Sequence, residues 1–311
     1  MKGVLEDPRK LFGAVISELA LQDDRIVIMS ADSGKSSGFG DFAAKVPERY
    51  FECGIMEQGV TGISSGLATT GKIPVFCAIA PFVTARPFEM FRNDLGYMRQ
   101  NVKMVGRNGG ITYSTLGSTH HSLDDFGLMR LIPGVVSLFP QDPDEIRGAC
   151  RAMIEHEGPV YMRIGNAKIP GLFDEDIPFV IGKGRKISDG ADVTVISTGP
   201  LTGSVMEAVS RLRTAGISCD HIGLPTVWPL DEKLILESAV KTGKVVTVEE
   251  HYTDGGLGTM VADLCSEKHP VPVRKLGIPN SYATSGPYDE LLQYYGLDPD
   301  GIAASISSFI R

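Results

Sequence analysis

Two doubly wound α/β domains in series are the fold class this sequence predicts, and three observations predict it. Short apolar runs alternate with helical stretches through residues 1–170. That rhythm is lost over residues 165–190, which are rich in Pro, Gly and Asp. A second strand-helix series then begins near residue 191 and continues to the C-terminus. Strand followed by helix, repeated with short polar links, means a mostly parallel sheet covered on both faces. The expected boundaries are a first domain at 1–170, a linker at 171–190 and a second domain at 191–311.

The first helix opens at Asp7-Pro8, with Asp7 as cap and Pro8 in the first turn, and it carries one apolar stripe from Leu11 to Leu19. Ile26-Val27-Ile28-Met29 reads as a buried parallel strand, and Ser30-Ala31-Asp32-Ser33-Gly34 as the polar loop after it. Further strands are expected at 50–53, 74–80, 102–105, 135–139 and 160–164. Helices are expected at about 57–70, 86–98, 124–131 and 143–157. In the second series, strands at 193–197, 217–224, 244–249 and 271–276 alternate with helices at about 202–214, 231–242 and 258–266. The tail from Pro287 reads as helical.

Composition narrows the function class. Of 311 residues 42% are hydrophobic and 22% charged, as in an ordinary globular protein. A net charge of −8 without a long acidic run gives no reason to expect nucleic acid or an anionic membrane as partner. The five cysteines are widely spaced and form no Cys-x-x-Cys pair, so they read as reduced core residues and a cytoplasmic location is expected. Ser33-Gly34-Lys35-Ser36 lacks the upstream glycine of a phosphate-binding loop and is read as accidental.

Sites in open parallel sheets form at the carboxyl ends of strands, so the loops at 30–37, 54–57, 81–86 and 108–121 are where chemistry is sought. Glu57 stands out among them. It opens a Gly-, Ser- and Ala-rich helix of poor intrinsic propensity, which must be held by close packing. A buried carboxylate is costly unless it is paired or used, so Glu57 is a candidate site residue on these grounds alone.

Glu52-Cys53-Gly54-Ile55-Met56-Glu57-Gln58, followed by the small-residue helix, resembles the corresponding segment of transketolases and related thiamine-diphosphate enzymes. Ser30-Ala31-Asp32, Phe82-Val83-Thr84, Phe88 to Asn93 and Ser118 to Asp125 agree in order. Ser197-Thr198-Gly199, Val248 to His251 and Gly255 to Gly258 resemble the family's C-terminal domain, so the likeness spans nearly the whole chain. The family's Gly-Asp-Gly motif with paired asparagines, which holds pyrophosphate and metal, does not occur here. The resemblance therefore implies a pyrimidine-binding domain and a C-terminal domain, the C-terminal subunit of a split transketolase. It implies thiamine diphosphate as cofactor, with Mg2+ or Ca2+ held by an N-terminal pyrophosphate-binding partner subunit, and self-association to α2β2. No metal ligand is assigned to this chain. The implied reaction transfers a two-carbon ketol unit from a ketose donor to an aldehyde acceptor.

Residue roles carry over position by position. Glu57 matches the glutamate that bonds the pyrimidine nitrogen and favours the tautomer whose other nitrogen acts as base. Phe82 matches the aromatic that stacks on the pyrimidine, and Ile55 is the third cofactor-binding candidate. His120 matches the substrate-facing catalytic histidine, with His121 as its weaker neighbour. Arg9 and Ser36 match phosphate contacts. The chain departs from the pattern where the usual phosphate-binding histidine falls on Asn108 and the expected arginine on Asn166, unless Arg163 substitutes for it. Loss of two charge-assisted partners points to a non-standard, non-phosphorylated substrate. Three alternatives stay open: a deoxyxylulose-phosphate-synthase-like subunit, a 2-oxoacid dehydrogenase β chain, and a noncatalytic assembly subunit.

Overall fold

Apolar runs become the strands of two mostly parallel sheets and one two-stranded antiparallel sheet in the computed structural model, which describes residues 2–173 and 178–311. Those of the first half are β1 Lys2–Glu6, β2 Ile26–Ser30, β3 Tyr50–Glu52, β4 Ile73–Ile79, β5 Lys103–Arg107, β6 Val136–Leu138, β7 Val160–Arg163 and β8 Ile169–Gly171. They are followed by β9 Arg185–Ser188, β10 Val193–Ser197, β11 Cys219–Gly223, β12 Thr226–Trp228, β13 Val245–Tyr252 and β14 Val273–Ile278. Among the described residues the first sheet has the order β12-β6-β7-β5-β4-β2-β3, and the second β14-β13-β10-β11-β9. Within each, all pairings are parallel except the edge pairs β12–β6 and β11–β9.

Both faces of the first sheet are covered, as its fully buried strands require. Helices Pro8–Gln22 and Pro143–Glu155 close one side over Val75, Val105 and Met162, while Val60, Phe91 and Phe126 pack on the other with Phe76 and Met104. Capping follows the sequence. Asp7 Oδ1 accepts from the Arg9 amide at 3.0 Å, and Asp142 Oδ1 from the Glu145 amide at 2.9 Å.

Several elements differ from the sequence reading. The linker contains β9, which joins the second sheet, and β8 at the junction of first domain and linker pairs antiparallel with β1. Asp174-Glu175-Asp176, which helped to mark that linker, lies outside the described residues. Thr226–Trp228, outside every expected strand, is a strand that returns to the first sheet and ties the domains together. The stretch from 86 to 98 is a short helical turn, Phe88–Met90, continued by a π-helix at Phe91–Tyr97. Cys53 is only half-buried, whereas the other four cysteines are in the core, and all five are free.

The domains also meet through a buried polar joint. Arg163 is fully buried, and its Nη1 lies 3.2 Å from Asp125 Oδ1, while its Nη2 donates to the Glu250 carbonyl at 2.6 Å. Tyr161 donates to Asp125 Oδ2 at 2.6 Å, and Glu250 accepts from the Ile111 amide at 2.9 Å and from Tyr288 at 3.3 Å. Arg163 therefore belongs to the joint, which corrects its reading as a stand-in for the missing phosphate-binding arginine. His251 is structural as well: it stacks on Phe126, accepts from the Gly127 amide at 3.3 Å and contacts the Tyr252 carbonyl through Nδ1 at 2.8 Å. Glu249 receives the Leu257 and Gly258 amides, both at 2.7 Å, at the start of helix Leu257–Lys268.

Candidate functional site at the carboxyl edge of the first sheet

Because β7, β5, β4, β2 and β3 are parallel neighbours, the loops that leave them line up along one edge. In that order the edge carries Asn166, then Asn108, then Phe82 and Arg86, then the 30–37 loop, and last Glu57. Residues scattered over more than a hundred positions of sequence are thus brought to one ridge.

Glu57 is placed by a turn and a helix. Gly54 takes φ +74°, open to glycine at little cost, and the Met56 amide reaches back to its carbonyl at 2.8 Å. Glu52 organises this turn: its Oε1 accepts from the Asp32 amide at 2.7 Å and from the Gly54 amide at 3.2 Å. Burial alone would raise the Glu52 carboxyl, but bonds from Ser30 and these amides hold it below the ordinary value. Helix Glu57–Ala68 then begins without a side-chain cap, with Glu57 in its first turn. Its small residues permit close packing on the π-helix, where Ser65 donates to the Asp94 carbonyl at 2.9 Å. Glu57 itself is only 4% exposed.

A third residue joins the two expected ones. Arg86 Nη1 donates to Glu57 Oε1 at 2.7 Å, and the same guanidinium lies over the Phe82 ring with its carbon 3.8 Å from the centroid. The loop after β4 makes this possible, since Pro81 starts a helical turn and the Arg86 amide closes it onto the Pro81 carbonyl at 3.0 Å. Phe82 meets His120 edge-on at 5.3 Å between centroids, and Tyr113 meets His120 at 5.6 Å from another side. Thr119 Oγ1 contacts His120 Nδ1 at 2.9 Å, which leaves Nε2 for a ligand. Glu57, Phe82 and His120 therefore form one contiguous cluster through Arg86 and their rings.

Sequence reasoning gave no role to Arg86 or Tyr113. The one signal for Arg86 was its spacing of four from Phe82, which places two side chains on one face of a helical turn.

The other candidates are distributed differently. Ile55 is 73% exposed and contributes no wall to this cluster within the chain. Arg9 is engaged by Asp7, at 2.9 Å from Nη2 to Oδ2, and exposed Ser36 donates to the Ser33 carbonyl at 2.9 Å. Asn108 is fully buried at φ +57°, and neither atom of its amide has a partner among the described residues. Asn166 donates to the Thr112 carbonyl at 3.4 Å, while its Oδ1 is unpartnered. His121 is buried, contacts the Ser114 carbonyl through Nε2 at 3.3 Å and leaves Nδ1 unpartnered. Burial first, then His120 nearby, holds its imidazole below the ordinary histidine value and so favours the neutral form near pH 7.

The Glu57–Phe82 pair fits the pyrimidine end of thiamine diphosphate. It already accommodates a flat, N–H-bearing group that stacks on the ring and bonds the carboxylate, which are the two contacts a nitrogen heterocycle would make. Among the described residues no group of three or more His, Cys, Asp and Glu is placed to hold a metal ion, and no helix is long and apolar enough to cross a membrane.

Comparison with known proteins bears on the chain's two domains. The transketolase pyrimidine-binding domain matches residues 7–170 and the transketolase C-terminal domain residues 182–302. The chain is 39% identical to an apulose-4-phosphate transketolase subunit of Phocaeicola vulgatus, over 97% of each chain. It is 35% identical to a 6-deoxy-6-sulfo-D-fructose transketolase subunit of Clostridium sp., covering 93% of this chain and 90% of that one. Among solved structures, a split-gene transketolase in the form of an inactive β4 tetramer superposes with a TM-score of 0.88 at 36% identity, over 98% of each chain. With both domain models matched and full-length relatives above 30% identity, the chain belongs to the transketolase family and carries its pyrimidine-binding and C-terminal domains.

Proposed function

We propose that this chain is the pyrimidine-side subunit of a split transketolase, moving a two-carbon ketol unit from a ketose to an aldehyde in complex with a pyrophosphate-binding subunit. The observation that carries this reading is the seat formed by Glu57 and Phe82, one buried acid and one aromatic face joined by a planar guanidinium. When bound, thiamine diphosphate supplies the nucleophilic carbon on which ketol transfer depends.

The protein's own part is positional and protonic. Phe82 holds the pyrimidine ring and excludes water from one face. Glu57 holds a proton between its Oε1 and a ring nitrogen, which raises the basicity of the cofactor's exocyclic nitrogen. Arg86 must leave both groups for this to occur, and its side chain, 35% exposed, has solvent to move into. His120, oriented by Thr119 and flanked by Tyr113, offers Nε2 to substrate hydroxyls.

A divalent cation and the pyrophosphate belong with the partner subunit in this reading. Ile55, 73% exposed beside the site, supports an interface there and with it an α2β2 assembly. The named relatives bear on a sugar phosphate in one case and a sulfonated sugar in the other, which supports a sugar-type donor.

The test is reconstitution with a subunit bearing the pyrophosphate motif, thiamine diphosphate and Mg2+. Ketol transfer between a ketose and an aldehyde is expected, with Glu57→Gln lowering kcat roughly 100-fold or more while the fold is kept. Full turnover by the variant, or carbon dioxide release from pyruvate in place of ketol transfer, would overturn the reading.

A further inference from the structure

His120 sits in a loop of the first domain that the second domain holds. The loop is closed at its base by a bridge in which the Ser122 amide donates to the Gly110 carbonyl at 2.9 Å and the Gly110 amide to the Ser122 carbonyl at 3.2 Å. Residues 111–121 between them carry His120. Yet the side chains flanking the bridge, Ile111 and Leu123, are buried in the second domain's core with Val195, Leu201 and Val248. The Tyr252 amide adds a bond to the Leu123 carbonyl at 2.9 Å.

The loop's hydrogen bonds are divided in the same way. From the second domain, Glu250 Oε1 accepts from the Ile111 amide at 2.9 Å, the Gly286 amide donates to the Ser114 carbonyl at 3.3 Å, and the Ala283 carbonyl accepts from Ser118 Oγ at 2.6 Å. From first-domain elements outside residues 109–122, only Asn166 contributes among the described residues, at 3.4 Å to the Thr112 carbonyl. Ser118 is the attachment nearest His120, and the turn between them is tight. Gly117 takes φ +76°, and its carbonyl accepts from the His120 amide at 2.9 Å and from the His121 amide at 3.1 Å. Glu57 and Phe82 are therefore set by the first sheet, whereas the turn bearing His120 is set from across the domain boundary.

We propose that the second domain positions His120, and that Ser118 is the positioning residue through which it does so. The Ser118 hydroxyl latches the turn to Ala283, itself buried, and so keeps the imidazole edge-on to Phe82. That His120 then meets a substrate rests on the ketol-transfer reading; the latch itself does not.

Amide hydrogen exchange on the full chain tests the latch without turnover. Ser118→Ala removes one hydrogen bond at a half-buried position and should speed exchange at the His120 and His121 amides roughly 5-fold. Amides of helix Glu57–Ala68 should be unchanged, and Ser118→Thr, which keeps the hydroxyl, should stay close to wild type. Equal exchange in wild type and Ser118→Ala, or equal acceleration throughout the chain, would overturn the proposal. The role is read in the reconstituted complex by a double-mutant cycle with His120→Ala. Ser118→Ala should lower kcat/KM for ketol transfer roughly 5-fold when His120 is present and have no effect in the His120→Ala background. Equal losses in both backgrounds would show that Ser118 does not act through His120 and would overturn the role. Absence of ketol transfer in the wild-type complex would count against the ketol-transfer reading alone, and the exchange result would still decide the latch.

Discussion

Two arginine–carboxylate pairs in this protein use the same chemistry for opposite ends. Arg163 and Asp125 are both fully buried, 3.2 Å apart, and enclosed by Tyr161, the Glu250 carbonyl and the rings of Phe126 and Phe139. Arg86 and Glu57 are closer, at 2.7 Å, but only the acid is buried, and the arginine is held by that bond and one aromatic face. A pair closed on every side can serve only to join elements. A pair open on one side can be exchanged for a ligand that makes the same two contacts, and that difference separates scaffold from site.

Breaking the closed pair should have the largest effect on stability. Asp125→Ala leaves Arg163 buried without its counterion and is expected to cost about 3–5 kcal/mol, read from denaturant midpoints. A change below about 1 kcal/mol would mean that the joint tolerates an unpaired charge and that the contrast between the two pairs is false.

The joint also predicts a pH dependence. Burial drives the Glu250 carboxyl up to about 7 against opposition from Arg163, the Ile111 amide and Tyr288, whereas in the unfolded chain it titrates near 4.5. The folded state therefore binds the proton more tightly, so this contribution is fully present below about pH 4.5 and is lost as pH rises toward 7. Glu250→Gln should flatten the decline in that window, by at most about 3 kcal/mol. An unchanged pH profile would show that Glu250 does not bind protons differently in the two states.

Smaller effects are expected at the open pair. Phe82→Leu should weaken thiamine diphosphate binding in the reconstituted complex by about 1 kcal/mol, roughly 5-fold, with little change in Tm. Arg86→Met should change stability by less than about 1 kcal/mol, since the arginine is one-third exposed and its charge is partly screened. A loss as large as that of Asp125→Ala would place Arg86 with the scaffold.

Much of this was legible in the sequence because it depended on local pattern. The apolar runs at 26–29 and 193–197 became buried strands, and Glu57 was marked by the small-residue helix it opens. What escaped depends on contacts between distant residues. Thr226-Val227-Trp228 is too short a run, just after the strand expected at 217–224, to stand out as a strand, and only its pairing with β6 makes it one. Arg163 has the residue type and position of a phosphate ligand, and only Asp125 and Glu250, contributed by two separate parts of the chain, show that it is occupied.

The most direct measurement of the central claim is the rate at which the C2 proton of thiamine diphosphate exchanges with deuterium in the reconstituted complex. Wild type and Arg86→Met should exchange rapidly, while Glu57→Gln should be slowed roughly 100-fold or more with the cofactor still bound. Equal exchange by wild type and Glu57→Gln would show that Glu57 is, like Asp125, only a partner for a buried arginine.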